Sequence, residues 1–196
     1  MTASHDPGQY AAWLVSRAAG VTAFLLASIA VALGLMMAGR LSRRPGMARR
    51  MRSLHEHAAI GALVAIAVHG VSLLGDRWMH PGLAGISVPF AMDYRPLATG
   101  LGIIAGYLAA LLGLTFYVRR RIGTRLWRRA HRLTIVVWAL AAVHAVTAGS
   151  DASTPWMRTI LVATGVPILA LFAVRLAGRP RPARPAVAGA AAGGAS

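Results

Sequence analysis

The chain has 196 residues, 57% of them hydrophobic and 13% charged, with a formal net charge of +16 and no cysteine. So apolar a composition excludes an ordinary soluble domain, and the lack of cysteine excludes disulfides, thiolate metal ligation, iron–sulfur clusters and covalent attachment through C-x-x-C-H. Nor does the charge mark a nucleic-acid-binding protein: all 21 basic residues are arginine and gather in short segments between long apolar runs, not over one face of a soluble fold.

The N-terminal residues 1–10 read as an extracytoplasmic tail. MTASHDPGQYAAWLVSR lacks the basic n-region and small-residue cleavage site of a signal peptide, so the apolar run that follows is read as a retained span. Five runs are long enough to cross a bilayer, at about 11–38, 54–75, 97–118, 131–149 and 156–177. None alternates as a barrel strand would, which leaves helices as the spanning structure. The expected fold is therefore an all-α polytopic membrane bundle of about five helices over residues 11–177. Residues 178–196, Pro/Arg-rich and then Ala/Gly-rich, read as a disordered cytoplasmic tail.

Arginine placement gives the expected orientation. Arg40, Arg43, Arg44, Arg49, Arg50 and Arg52 lie between the first two runs, and Arg119, Arg120, Arg121, Arg125, Arg128, Arg129 and Arg132 between the third and fourth. Arg175, Arg179, Arg181 and Arg184 follow the fifth, making 17 on this side, whereas only Arg17, Arg77, Arg95 and Arg158 fall on the other. The positive-inside rule then puts the N-terminus outside and the C-terminus in the cytoplasm of a multi-pass plasma-membrane protein.

Histidine is costly inside a bilayer and is placed there for a reason. His55 and His69 are 14 residues apart in the second run, and His131 and His144 are 13 apart in the fourth. At 1.5 Å per residue each pair spans roughly 20 Å, most of a ~30 Å hydrocarbon core. The second and fourth spans run in the same direction, so His55 should face His131 near the cytoplasmic surface and His69 should face His144 near the outer one. Two imidazoles can close both axial positions of an iron, and the arrangement suits two stacked b-type haems, or one if only one pair is filled. Fourteen steps at 100° return to within about 40° of the same face, but 13 steps miss by about 140°, so the fourth helix must bend or change pitch. His57 fits less well than His55 and is expected to meet a headgroup, a propionate or a neighbouring helix; His80 is expected to be solvated.

Haem propionates need cationic partners. Arg52 and Arg128 stand three residues before His55 and His131 and suit the inner haem, with snorkelling as the alternative role. Arg17, set inside an apolar run, suits the outer one. Gly20, Gly61, Gly70, Gly102 and Gly106 are read mainly as close helix-packing positions.

On LHEHAAIGALVAIAVHG, VPFAMDYRPLATGLG and WRRAHRLTIVVWALAAVHAVTAGSD the chain resembles the ferric-reductase-like transmembrane domain family, over roughly residues 12–177. That family includes the membrane parts of ferric reductases and NADPH oxidases and the haem-binding membrane subunit of a periplasmic methionine sulfoxide reductase. The resemblance implies that His55, His69, His131 and His144 are axial ligands, and that a 13-residue spacing serves as well as 14. It also implies an oxidoreductase component. No Gly-rich dinucleotide fingerprint follows the last span, so the expected donor is separate: a flavoprotein, an FMN-binding protein or a quinol. The expected acceptor is extracytoplasmic, either ferric iron or a redox partner. Two alternatives stand beside this reading: a quinol-linked haem subunit of a repair reductase, and a haem-free transporter or anchor.

Overall fold

The computed structural model describes residues 10–39 and 45–178, and the expectations for the N-terminal tail and the C-terminal tail lie almost wholly outside them. The described residues are helical, with no strand among them. Helix α1 covers Ala11–Ala38, α2 Pro45–Ser72, α3 Gly82–Ser87, α4 Pro96–Leu114, α5 Arg119–Ile122, α6 Thr124–His131, α7 Thr134–Ala148 and α8 Pro155–Ala177. Five spans are long and apolar enough to cross a membrane: α1, α2 with its short extension to Gly75, α4, α6 joined to α7, and α8.

Three span boundaries differ from the hydropathy reading. The second span starts at Pro45, because an Arg-rich stretch can continue a helix beyond the hydrocarbon. The third stops at Leu114, where Thr115–Val118 turn through successive three-residue hydrogen bonds. The fourth begins at Thr124, seven residues before His131; arginines at 125, 128 and 129 hide this first segment from a hydropathy window although they all lie exposed. Proline opens α4 and α8, where its missing N–H leaves no helical bond unmade.

Helix α1 is the centre of the bundle. It packs along α2 and also meets α7 and α8, while α7 packs along α4. Phe24 of α1, Trp138 of α7 and Ile168 of α8 form one buried cluster, with Phe24 and Trp138 stacked at 6.1 Å. The Trp138 Nε1–H donates to Ser28 Oγ at 2.9 Å, and Ser28 Oγ donates to the Phe24 carbonyl at 2.7 Å, so the polar tip of this tryptophan is satisfied inside the bundle. Ala105, Leu112 and Val137 form a second cluster between α4 and α7. No comparable backbone packing joins α2 to α7.

Candidate functional site: two histidine pairs and their seats

The bundle brings the four membrane histidines into two facing pairs. His55 of α2 and His131 of α6 have ring centroids 6.1 Å apart with planes at 80°. His69 of α2 and His144 of α7 stand 6.2 Å apart at 72°. These are the pairings expected from depth, and they show that α2 and the α6–α7 span run the same way. The 13-residue interval closes because the helix is interrupted at Arg132 and Leu133. There Arg132 and Leu133 donate to carbonyls three residues back, at 3.2 and 2.9 Å. Tighter turns rotate about 120° per residue against 100°, which takes up part of the missing angle.

Three of the four rings are fixed by backbone. The Nδ1–H of His69 donates to the Ser16 carbonyl at 2.8 Å, that of His55 to the Ala30 carbonyl at 2.8 Å, and that of His144 to the Ala98 carbonyl at 2.8 Å. A proton committed at Nδ1 leaves the Nε2 lone pair as the free nitrogen of each ring. Each accepting carbonyl has a glycine four residues later, namely Gly20, Gly34 and Gly102. A Cβ at Gly20 would stand 3.0 Å from His69 Nδ1, one at Gly34 would stand 3.5 Å from the His55 ring, and one at Gly102 would overlap the His144 ring. The bare helix surface at each glycine is thus where an imidazole lies. Gly61 and Gly106 face Leu26 and Ile66 instead, as packing positions do.

The seats repeat with the histidines. Ser16 and Ala30 are 14 residues apart on α1, the same interval as His69 and His55 on the antiparallel α2. On α4, 14 residues beyond Ala98 comes Leu112, and 14 beyond Gly102 comes Phe116. This fourth seat is built only in part: the Leu112 carbonyl faces His131 and also accepts from Thr115 Oγ1 at 3.2 Å, while α4 has ended by Phe116, which stands where a glycine would. His131 approaches the Leu112 carbonyl, though its Nδ1 makes no well-aligned hydrogen bond among the described residues. Its ring also stacks on Trp127, at 4.8 Å and 23°. Trp127 in turn meets Phe116 at 5.6 Å, and the Arg119 guanidinium lies 3.8 Å over the Phe116 ring.

The sequence reading missed Ser16, Ala30 and Ala98 because they act through their carbonyls. A signal was available in the recurrence of a small residue four before glycine, at the histidine interval, on α1. Ser16 adds its side chain: Oγ lies 3.0 Å from His69 Nδ1 and donates to the His69 carbonyl at 3.0 Å.

Of the candidate cofactor-binding arginines, Arg17 forms an ion pair with Asp151 and lies 4.9 Å over the Trp13 ring. Arg52 and Arg128 are exposed, one turn before His55 and His131. His57 is exposed and donates to the Ser53 carbonyl of its own helix at 2.7 Å, not to a neighbouring one. His80 is exposed in the loop before α3. On the opposite end of the bundle Arg95 donates to the Thr147 carbonyl and Tyr94 to that of Ala148, closing the 76–95 connection over the end of α7.

A family model described as "Ferric reductase like transmembrane component" matches residues 17–142, a range that contains three of the four histidines and ends two residues before His144. No curated protein and no solved structure matches the chain.

Proposed function

Because this chain belongs to the family of ferric-reductase-like transmembrane components, we propose that it is a membrane electron-transfer domain holding haem b between His55 and His131 and between His69 and His144. The observation that carries the proposal is the ring separation. A metal-bound imidazole nitrogen sits about 2 Å from its metal, so two rings sharing one ion have centroids roughly 6 Å apart. The observed 6.1 and 6.2 Å leave room for one ion per pair. Among the described residues no group of three or more His, Cys, Asp or Glu could hold a metal. A bare ion would therefore find two ligands where a closed site needs four, whereas haem brings its own in-plane nitrogens. When bound, haem supplies one-electron oxidation and reduction.

The protein's part is to hold and tune. Committed Nδ1 protons leave Nε2 as the nitrogen free to ligate in three histidines and raise its basicity. Helices α2 and α7 share little close backbone packing, as a flat ring held between the two histidine-bearing spans would require. Pairs about 20 Å apart along α2 would divide the bilayer into two shorter electron transfers. The arginine-rich end is taken as cytoplasmic, so electrons enter at the His55–His131 pair from a separate flavoprotein, FMN-binding protein or quinol. They leave at the His69–His144 pair to ferric iron or another extracytoplasmic redox partner. Arg52 and Arg128 are the proposed inner propionate partners and Arg17 the outer one.

The test is a reduced-minus-oxidised visible spectrum of the detergent-purified chain, with haem quantified as pyridine haemochrome. Two low-spin haems b per chain are expected. One per chain would restrict the site to a single pair, and none after expression with ample haem would overturn the proposal.

A further inference from the structure

Trp138 and Trp127 both bury an indole N–H in the bundle, and only one of the two has an acceptor. Trp138 donates to Ser28 Oγ at 2.9 Å. Trp127, on α6, has its Nε1 buried with no hydrogen-bond partner among the described residues. Its surroundings explain why. The indole lies against the His131 ring at 4.8 Å and 23° and against the Phe116 ring at 5.6 Å and 61°, and neither ring offers an acceptor oxygen. Arg119 beyond Phe116, and the exposed Arg128 and Arg52, are donors themselves. Glu56, the one acid among the described residues at this end, is exposed on α2. A buried donor without a partner is costly, so this N–H is suited to an acceptor that arrives from outside the chain.

We propose that Trp127 is a haem-binding residue, whose Nε1–H donates to a propionate carboxylate of the haem held by His55 and His131. The inference rests on the haem reading above. Trp127 stands one turn before His131 on the same short helix and touches its ring, so a group bound by His131 comes within reach of the indole. With the four ring nitrogens taken by iron, the propionates are the only strong acceptors that haem b carries. A charged acceptor also makes the stronger bond. Arg128, next in sequence and exposed, balances the carboxylate from the water side. The indole holds it from the buried side, where water does not compete.

The experiment compares detergent-purified full chains by resonance Raman spectroscopy and by the rate of haem transfer to excess apomyoglobin. Trp127→Phe keeps an aromatic face for His131 and deletes the N–H. A second variant carries benzothienylalanine at position 127, an isostere of tryptophan with sulfur in place of N–H, so that shape and stacking are unchanged. Both should keep low-spin haem at both pairs. Both should shift the propionate bending band of one haem and release that haem roughly tenfold faster than wild type, as expected for a lost hydrogen bond to a charged acceptor. The same changes in a His144→Ala background, which retains the inner haem alone, assign the effect to the His55–His131 pair. Trp78→Phe, at a residue 78% exposed before α3, should move neither readout. An isostere that matches wild type in band and rate would overturn the inference, whatever Trp127→Phe does, and leave the haem reading standing. An isostere that loses low-spin ligation would overturn it too, because Trp127 would then act through the His131 ring. A wild-type chain without haem fails the earlier reading instead.

Discussion

Ser16 and His69 are joined through both main chains: the His69 Nδ1–H donates to the Ser16 carbonyl at 2.8 Å, and Ser16 Oγ donates back to the His69 carbonyl at 3.0 Å. Only the second bond depends on residue type. Ser16→Ala should therefore destabilise the chain by about 1 kcal/mol and leave the haem proposed at the His69–His144 pair, the outer one, bound, because the backbone acceptor survives. Thermal unfolding in detergent and haem content together check this. Loss of the outer haem in Ser16→Ala would mean that the hydroxyl, not the carbonyl, fixes the ring.

Removing one histidine at a time separates the pairs. His144→Ala should eliminate the haem next to His69 and leave the other; His131→Ala should do the reverse. Each variant should retain one haem per chain, with its own midpoint in a redox titration. The two residual midpoints should reproduce the two wild-type steps. Loss of both haems, or of neither, in either variant would reject the pairing between α2 and the α6–α7 span.

The Trp138–Ser28 contact is a buried hydrogen bond of 2.9 Å between α7 and α1. Such bonds in membrane bundles are worth about 0.5–2 kcal/mol. Ser28→Ala leaves the indole N–H unsatisfied and should cost that much, whereas Ser28→Ala combined with Trp138→Phe should cost less than the two single changes added. A double-mutant cycle on unfolding free energy measures the coupling, and strict additivity would show that the bond contributes nothing.

Arg52 and Arg128 are exposed one turn from the inner histidines. Reduction adds a negative charge, so a nearby cation favours the reduced form. Replacing both arginines by glutamine should lower the midpoint of the inner haem and hardly move the outer one, roughly 20 Å further along α2 and screened by salt at about 8–10 Å. A redox titration resolves the two steps. An unchanged inner step would assign these arginines to topology alone.

Much of this arrangement was legible in the sequence, for identifiable reasons. Spans are legible because lipid demands long apolar runs, and the pairing of His55 with His131 and of His69 with His144 because depth follows from residue count. The start of the fourth span was hidden by arginines that a helix can carry outside the hydrocarbon. The Ser16, Ala30 and Ala98 seats were hidden because a carbonyl acceptor belongs to every residue type and only the glycine that exposes it leaves a trace. Gly20 and Gly102, read mainly as helix-packing positions, turn out to face imidazoles. The partner of Arg17 lay 134 positions away, beyond any local pattern.

That partner gives Arg17 a signed test. The Arg17 and Asp151 side chains are 33% and 11% exposed, so the pair is partly solvated and contributes about 1 kcal/mol at most. Its electrical effect on the haem proposed at the His69–His144 pair is easier to read. Arg17 lies on α1 one residue from Ser16, the seat of His69. Arg17→Ala removes a cation and should lower the outer midpoint, while Asp151→Ala removes an anion, frees the guanidinium and should raise it. The double variant should return close to wild type, because a neutral pair has been replaced by no charge. The inner midpoint should stay in place throughout. If Arg17 also holds a haem propionate, Arg17→Ala will lower the outer haem content while Asp151→Ala preserves it. Equal outer midpoints in all four proteins would confine Arg17 to a structural bridge between α1 and the loop before α8.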